Sequence, residues 1–184
     1  MSIDTTTQAL PDASADERAS RLTTAASTWG DRIAADRTAA HLRYRVTGTG
    51  EGAVATRLEA GRHAFWVDEP AALAGDDVAA SPVEVALGAL IACQVVVYRL
   101  YAHALAIPFD DIRITAEGDL DAARLLGADE SVRAGFSAIR LAIAIDGPET
   151  QERYEQLRDA VDAHCPVLDL FANPTPVTAT IAKA

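Results

Sequence analysis

The chain has 184 residues, of which 49% are hydrophobic, 5% aromatic and 23% charged, with a net charge of -11. That length supports one domain with a real core, built mainly from Val, Ile, Leu and Ala. The acidity excludes a phosphate-neutralising nucleic-acid face and an anionic membrane surface, and it keeps the protein soluble.

Residues 1–15 are small and polar and are expected to be disordered, and the segment lacks the basic-then-apolar pattern of a secretory leader. From residue 15 to about residue 37, Ala19, Leu22, Ala26, Trp29 and Ile33 recur at helical spacing, with Asp16 and Glu17 in the first turn. This predicts a helix in an N-terminal extension, residues 1–37, outside a main domain at residues 38–184. In residues 41–47, Leu42, Tyr44 and Val46 alternate with His41, Arg43 and Arg45, predicting a half-buried strand. Gly48-Thr49-Gly50-Glu51-Gly52 then reads as a turn. Residues 53–59 and 62–67, flanking Ala60-Gly61, read as a hairpin. An acidic, Ala-rich loop follows at residues 68–80.

Ser81-Pro82-Val83-Glu84 is a helix start, with Ser81 as N-cap, Pro82 at the first position and Glu84 where negative charge is favoured. The helix runs to about residue 106 and stops before Pro108. It is apolar nearly all round, which predicts burial on most faces. Glu84, Gln94, Arg99 and His103 interrupt it, so no membrane span is expected. Alternation predicts strands at residues 112–120 and 136–145, with a charged loop between them. A second helix is expected over residues 149–163, its inner side Tyr154, Leu157 and Val161. His164-Cys165-Pro166 breaks it, a helical turn is expected at 167–172, and a last strand at 176–182. Hairpins ahead of the long helix make the fold class α+β.

The chain has two cysteines, Cys93 in the long helix and Cys165 in His164-Cys165-Pro166-Val167. They could be a redox pair, a fragment of a metal site, or two inert core residues. Ligand count argues against metal, since the four histidines are scattered. The absence of a leader fits a cytoplasmic protein, where a structural disulfide is not the expected use of thiols. No phosphate loop, nucleophile elbow or dinucleotide fingerprint is present.

Four stretches, taken in order, resemble the OsmC/Ohr family of osmotically induced and organic-hydroperoxide-resistance proteins. They are Ser81-Pro82-Val83-Glu84 through Ala92-Cys93; Glu117-Gly118-Asp119-Leu120-Asp121 with Leu126-Gly127; Val132-Arg133-Ala134-Gly135-Phe136; and His164-Cys165-Pro166-Val167 with Asn173-Pro174-Thr175-Pro176-Val177. The resemblance covers about residues 40–182. It implies antiparallel sheets around a long central helix in an intertwined homodimer. It also implies reduction of alkyl or fatty-acyl hydroperoxides, with Cys93 as the attacking thiol and Cys165 as the resolving thiol. No bound cofactor is implied, only an external dithiol or lipoylated-protein reductant. The alternative is a non-catalytic dimer that binds an apolar small molecule at the subunit interface.

The resemblance also implies a glutamate and an arginine in the site. Glu84 is the catalytic candidate, but nine residues of helix put it about 13.5 Å along the axis from Cys93 and about 180° around it. It therefore acts through an arginine or across a dimer interface, or simply stabilises the helix start. Val83 stands where the hydroperoxide-resistance branch carries its glutamate. Residues 48–52 contain no arginine, and Arg57 and Arg62 on the hairpin, each readable as a strand charge, are the nearest in sequence. His164 is expected to cap the preceding helix rather than serve Cys165 as a base.

Overall fold

A computed structural model describes residues 13–183. The chain divides into two compact units, Met1–Leu42 and Arg43–Ala184. In the first unit, helix α1 spans Ala15–Ala35. Ser14 caps it by accepting from Glu17 N, and the Glu17 carboxylate accepts from Ser14 N at 3.0 Å, a reciprocal capping box. The helix therefore begins where a cap satisfies its orphan amides. Of residues 1–15, expected to be disordered, residues 1–12 lie outside the described residues, and the capped start of the helix at Ser14 and Ala15 corrects the remainder.

The second unit carries two antiparallel sheets. Strands β1 (Thr47–Glu51), β2 (Ala55–Ala60) and β3 (His63–Val67) form one, in the order β1-β2-β3. Strands β4 (Asp111–Asp119) and β5 (Ala138–Asp146) form the other, paired from Asp111↔Asp146 to Asp119↔Ala138. Both β4 and β5 alternate strictly between exposed and half-buried residues, so one face packs inward. Helix α2 (Pro82–Leu105) packs on β4, on α3 (Gln151–Asp162) and on α4 (Pro166–Ala172). Ser81 and Glu84 close a second capping box at its start, and Ala106, at φ 51°, ends it in the left-handed conformation.

The core is the seam between α2, α3 and β4–β5. Val97, Tyr98 and Ala102 of α2 meet Ile107, Phe109, Leu157, Val161 and Cys165 there. Ile107, Leu157 and Val161 are fully buried, and each such side chain contributes about 1.5–3 kcal/mol by leaving water. Tyr154 closes one end of the seam. Its hydroxyl donates to Pro108 O at 3.1 Å and accepts from Glu149 N at 3.2 Å. Gly147 leaves room for this knot, since a Cβ there would lie 2.3 Å from the Tyr154 hydroxyl.

Four sequence expectations differ from the fold. Residues 41–46 form no strand, and Leu42, Tyr44 and Val46 are exposed. Strand β1 is instead Thr47–Glu51, most of the stretch read as a turn, and the turn falls at residues 52–54. Backbone pairing from Thr47↔Glu59 to Glu51↔Ala55 defines β1, and every one of its residues is exposed, so no apolar alternation marks it. Residues 176–182 form no strand, with Val177 and Ile181 open to solvent. Helix α2 is buried along one stripe only, Leu90, Gln94, Val97, Tyr98 and Ala102. Of its other apolar residues, Val83, Val96 and Leu100 are exposed, while Val85, Leu87, Ile91, Cys93, Val95, Tyr101 and Leu105 are half-buried. In residues 41–46, in residues 176–182 and on the outer face of α2 the apolar residues are present, but among the described residues no surface covers them. By length and composition α2 could also cross a membrane, yet in this fold it is the helix on which α3, α4 and β4 pack.

Candidate functional site

Cys93 lies about three turns into α2, and Cys165 is the N-cap residue of α4 with Pro166 at its first position. The proline has no amide to satisfy and fixes the turn that aims residue 165 back at α2. Two further contacts hold this segment. The His164 ring nitrogen Nδ1 lies 2.7 Å from Ala160 O, so Nδ1 carries the proton and binds an orphan carbonyl at the end of α3. The same ring stacks on Tyr101 of α2, with centroids 4.5 Å apart and planes at 30°. His164 is thus a cap and a strap between α2 and α3.

The result is a pair of neighbouring free thiols. Cys93 is half-buried and Cys165 is buried. The Cys93 thiol interacts with the Cys165 thiol and with the Val167 backbone N–H. Burial, the largest influence, pushes the Cys93 thiol up, the Val167 N–H pulls it down, and Cys165 pushes it up again. Among the described residues, no cation is one of the groups that act on it. A hollow of about 260 Å³ opens beside Cys165, bordered by Asp162, His164, Leu168, Asp169 and Asn173.

Glu84 is not brought to the thiols. Its carboxylate accepts from Ser81 N at 2.8 Å and from Ser81 Oγ at 2.7 Å, and these bonds hold it below the usual carboxylate range. Arg57 pairs with Glu59 on the exposed sheet, and Arg62 occupies the hairpin turn. Among the described residues no cluster of three or more His, Cys, Asp or Glu could hold a metal ion.

Sequence reasoning missed Tyr101 and the Val167 amide. Tyr101 carried one signal, lying about two helical turns beyond Cys93; the amide carried none. It also missed two polar residues inside α2. Gln94 is fully buried with neither amide atom partnered, and the Tyr98 hydroxyl, one turn on, is equally unpartnered. Burial first, then the nearby Asp162, pushes the Tyr98 phenol up to about 12, which keeps it protonated.

Two small antiparallel sheets and a capped apolar helix, with a second thiol folded onto the first, define an α+β class already known from solved structures. The profile of the OsmC-like protein family matches residues 75–180, and the chain belongs to that family. An OsmC-like protein from Mycoplasma pneumoniae aligns over 71% of this chain and 88% of its own, at 18% identity and TM-score 0.63. An organic hydroperoxide resistance protein OsmC from Legionella pneumophila, described as a predicted redox protein, aligns over 72% and 90%, at 21% identity and TM-score 0.56. An organic hydroperoxide resistance protein from Elizabethkingia anophelis, with thiocyanate bound, aligns over 70% and 87%, at 21% identity and TM-score 0.55. Identities this low carry the fold alone. No curated protein matches the chain in sequence.

Proposed function

We propose that this protein is a thiol-dependent peroxidase that reduces alkyl or fatty-acyl hydroperoxides in the cytoplasm. The observation that carries the reading is the direct interaction of the Cys93 and Cys165 thiols. The Cys93 thiolate attacks the terminal oxygen of the hydroperoxide, the O–O bond breaks, and the alcohol leaves with a proton. The sulfenic acid on Cys93 then condenses with the Cys165 thiol, releasing water and forming a disulfide. An external dithiol, free or lipoylated, restores both thiols. No bound cofactor enters this cycle.

The protein works in this reading as a homodimer. The exposed apolar face of α2 and the uncovered Leu42, Tyr44 and Val46 support a second copy as the missing cover. The partner copy also supplies the cation that Cys93 lacks. Glu84 enters the chemistry across that interface, by holding such a cation, and not through contact with its own Cys93.

One observation favours a second reading. A thiol pushed up by burial with no cation acting on it is poorly suited to attack. The same dimer would then bind an apolar small molecule without turnover.

Turnover of cumene hydroperoxide with a dithiol decides between them. Wild type is expected to turn over, Cys93→Ser to lose turnover outright, and Cys165→Ser to stop after one cycle with Cys93 over-oxidised. Equal rates in all three proteins reject Cys93 as the nucleophile and leave the binding reading.

A further inference from the structure

An open trough of about 450 Å³ lies between α4 and residues 133–139, where the chain enters β5. Its volume is within the range of small-molecule sites, about 300–1,000 Å³. The walls are mixed: Phe136 and Ile139 on one side and Leu168, Leu170 and Phe171 on the other supply apolar surface, with polar surface that includes Arg133 and Ser137.

These walls are fixed from behind. The Phe136 ring packs on Gly118 of β4 so closely that a Cβ there would lie 2.5 Å from its Cε1. Ile139 stands opposite Gly118 in the β4–β5 ladder. Leu168 packs on the core cluster that contains Cys165. The trough is therefore largely preformed, which lowers the ordering penalty of filling it.

Arg133 stands at its mouth. The loop that delivers it is pinned by Arg124, whose Nη1 donates to Glu130 O at 2.8 Å and to Val132 O at 3.1 Å. Arg57, Arg124, Arg140, Arg153 and Arg158 are all ion-paired in this acidic chain. Among the described residues, no hydrogen bond or ion pair engages Arg133. An unpaired guanidinium beside a preformed, partly apolar trough complements an anion with an apolar tail, and its planar fork fits a carboxylate in two-point contact.

We infer that this trough binds an amphipathic monocarboxylate, with the acyl or aryl tail against Phe136, Leu168 and Phe171 and the carboxylate on Arg133. The trough is a separate hollow from the one beside Cys165, although Leu168 and Ala172 border both. Calorimetric titration with dodecanoate, below its micelle threshold, tests it against dodecanol. Wild type is expected to bind dodecanoate saturably, Arg133→Ala to bind it about tenfold more weakly, and Arg133→Lys to recover part of the loss. Dodecanol binding is expected to be weaker than dodecanoate binding and indifferent to Arg133→Ala. A Cys93→Ser/Cys165→Ser double variant is expected to bind dodecanoate as wild type does, whatever becomes of the peroxidase reading. No saturable binding, equal affinity of wild type and Arg133→Ala, or dodecanol bound as tightly as dodecanoate would overturn the inference.

Discussion

Residues 41–51 and strand β5 meet the same demand in opposite ways. Both segments carry an alternating apolar row. In β5 the row Ile139, Leu141, Ile143 and Ile145 faces inward and is half-buried, paired along its whole length with β4. In residues 41–46 the row is uncovered, with Tyr44 at 85% exposure, and the paired strand begins only at Thr47. Alternation specifies which side of a strand is apolar; it does not specify what lies against that side.

The sharpest way to break this comparison is to truncate one residue of the core on which β5 packs and one residue of the uncovered row. Truncating Leu157 of α3, fully buried in the core cluster on which Ile143 and Ile145 pack, is expected to cost about 2–5 kcal/mol of unfolding free energy in Leu157→Ala. Tyr44→Ala is expected to change the unfolding of a single chain by no more than about 0.5 kcal/mol. Urea midpoints measure both. A Tyr44→Ala effect that grows with protein concentration would show that a second copy covers residues 41–46.

A smaller contrast compares two glycines. Gly147→Ala places a methyl group 2.3 Å from the Tyr154 hydroxyl and 2.9 Å from Phe109 Cα, and is expected to cost about 1–3 kcal/mol. Gly50→Ala in β1 meets nothing within 4 Å and is expected to be neutral within about 0.5 kcal/mol. Thermal melts of the two variants should separate clearly. If they coincide, the two sheets are equally tolerant and the comparison fails.

The smallest effect concerns acid. Ser81 holds Glu84 low, backbone amides led by that of Glu69 hold Asp68 low, and Arg140 holds Asp119 low. A carboxyl whose folded value is depressed adds stability above its unfolded value, near about 4, and loses it as the pH falls through the folded value. Stability is therefore expected to decline below about pH 4, and less steeply in Glu84→Gln and Asp68→Asn than in wild type. Urea midpoints taken across that range check the slope, and an unchanged slope would remove these two carboxylates from the account.

The elements legible in the sequence are those whose signals are local. Ser81, Pro82 and Glu84 announce α2 because a cap is satisfied within one turn. Residues 111–119 and 138–146 announce themselves because their partner is another strand of the same sheet. Strand β1 was illegible because Thr-Gly-Thr-Gly-Glu reads as a turn, and only its backbone pairing with β2 makes it a strand. Residues 176–182 failed for the reason residues 41–46 did. The site was legible only through resemblance. Nothing local in Cys93 or Cys165 states that the chain brings them together, and the His164–Tyr101 stack that helps to do so is a contact between distant segments.

That distance has a thermodynamic side. A bond between Cys93 and Cys165 would close a loop of about 70 residues, and chain-entropy arguments put the resulting restriction of the unfolded ensemble at about 4 kcal/mol. Because α2, β4, β5 and α3 all contribute to that loop, an oxidised chain would be cross-linked through the whole of its core. The redox state of two sulfur atoms would then set how firmly the entire fold resists unfolding.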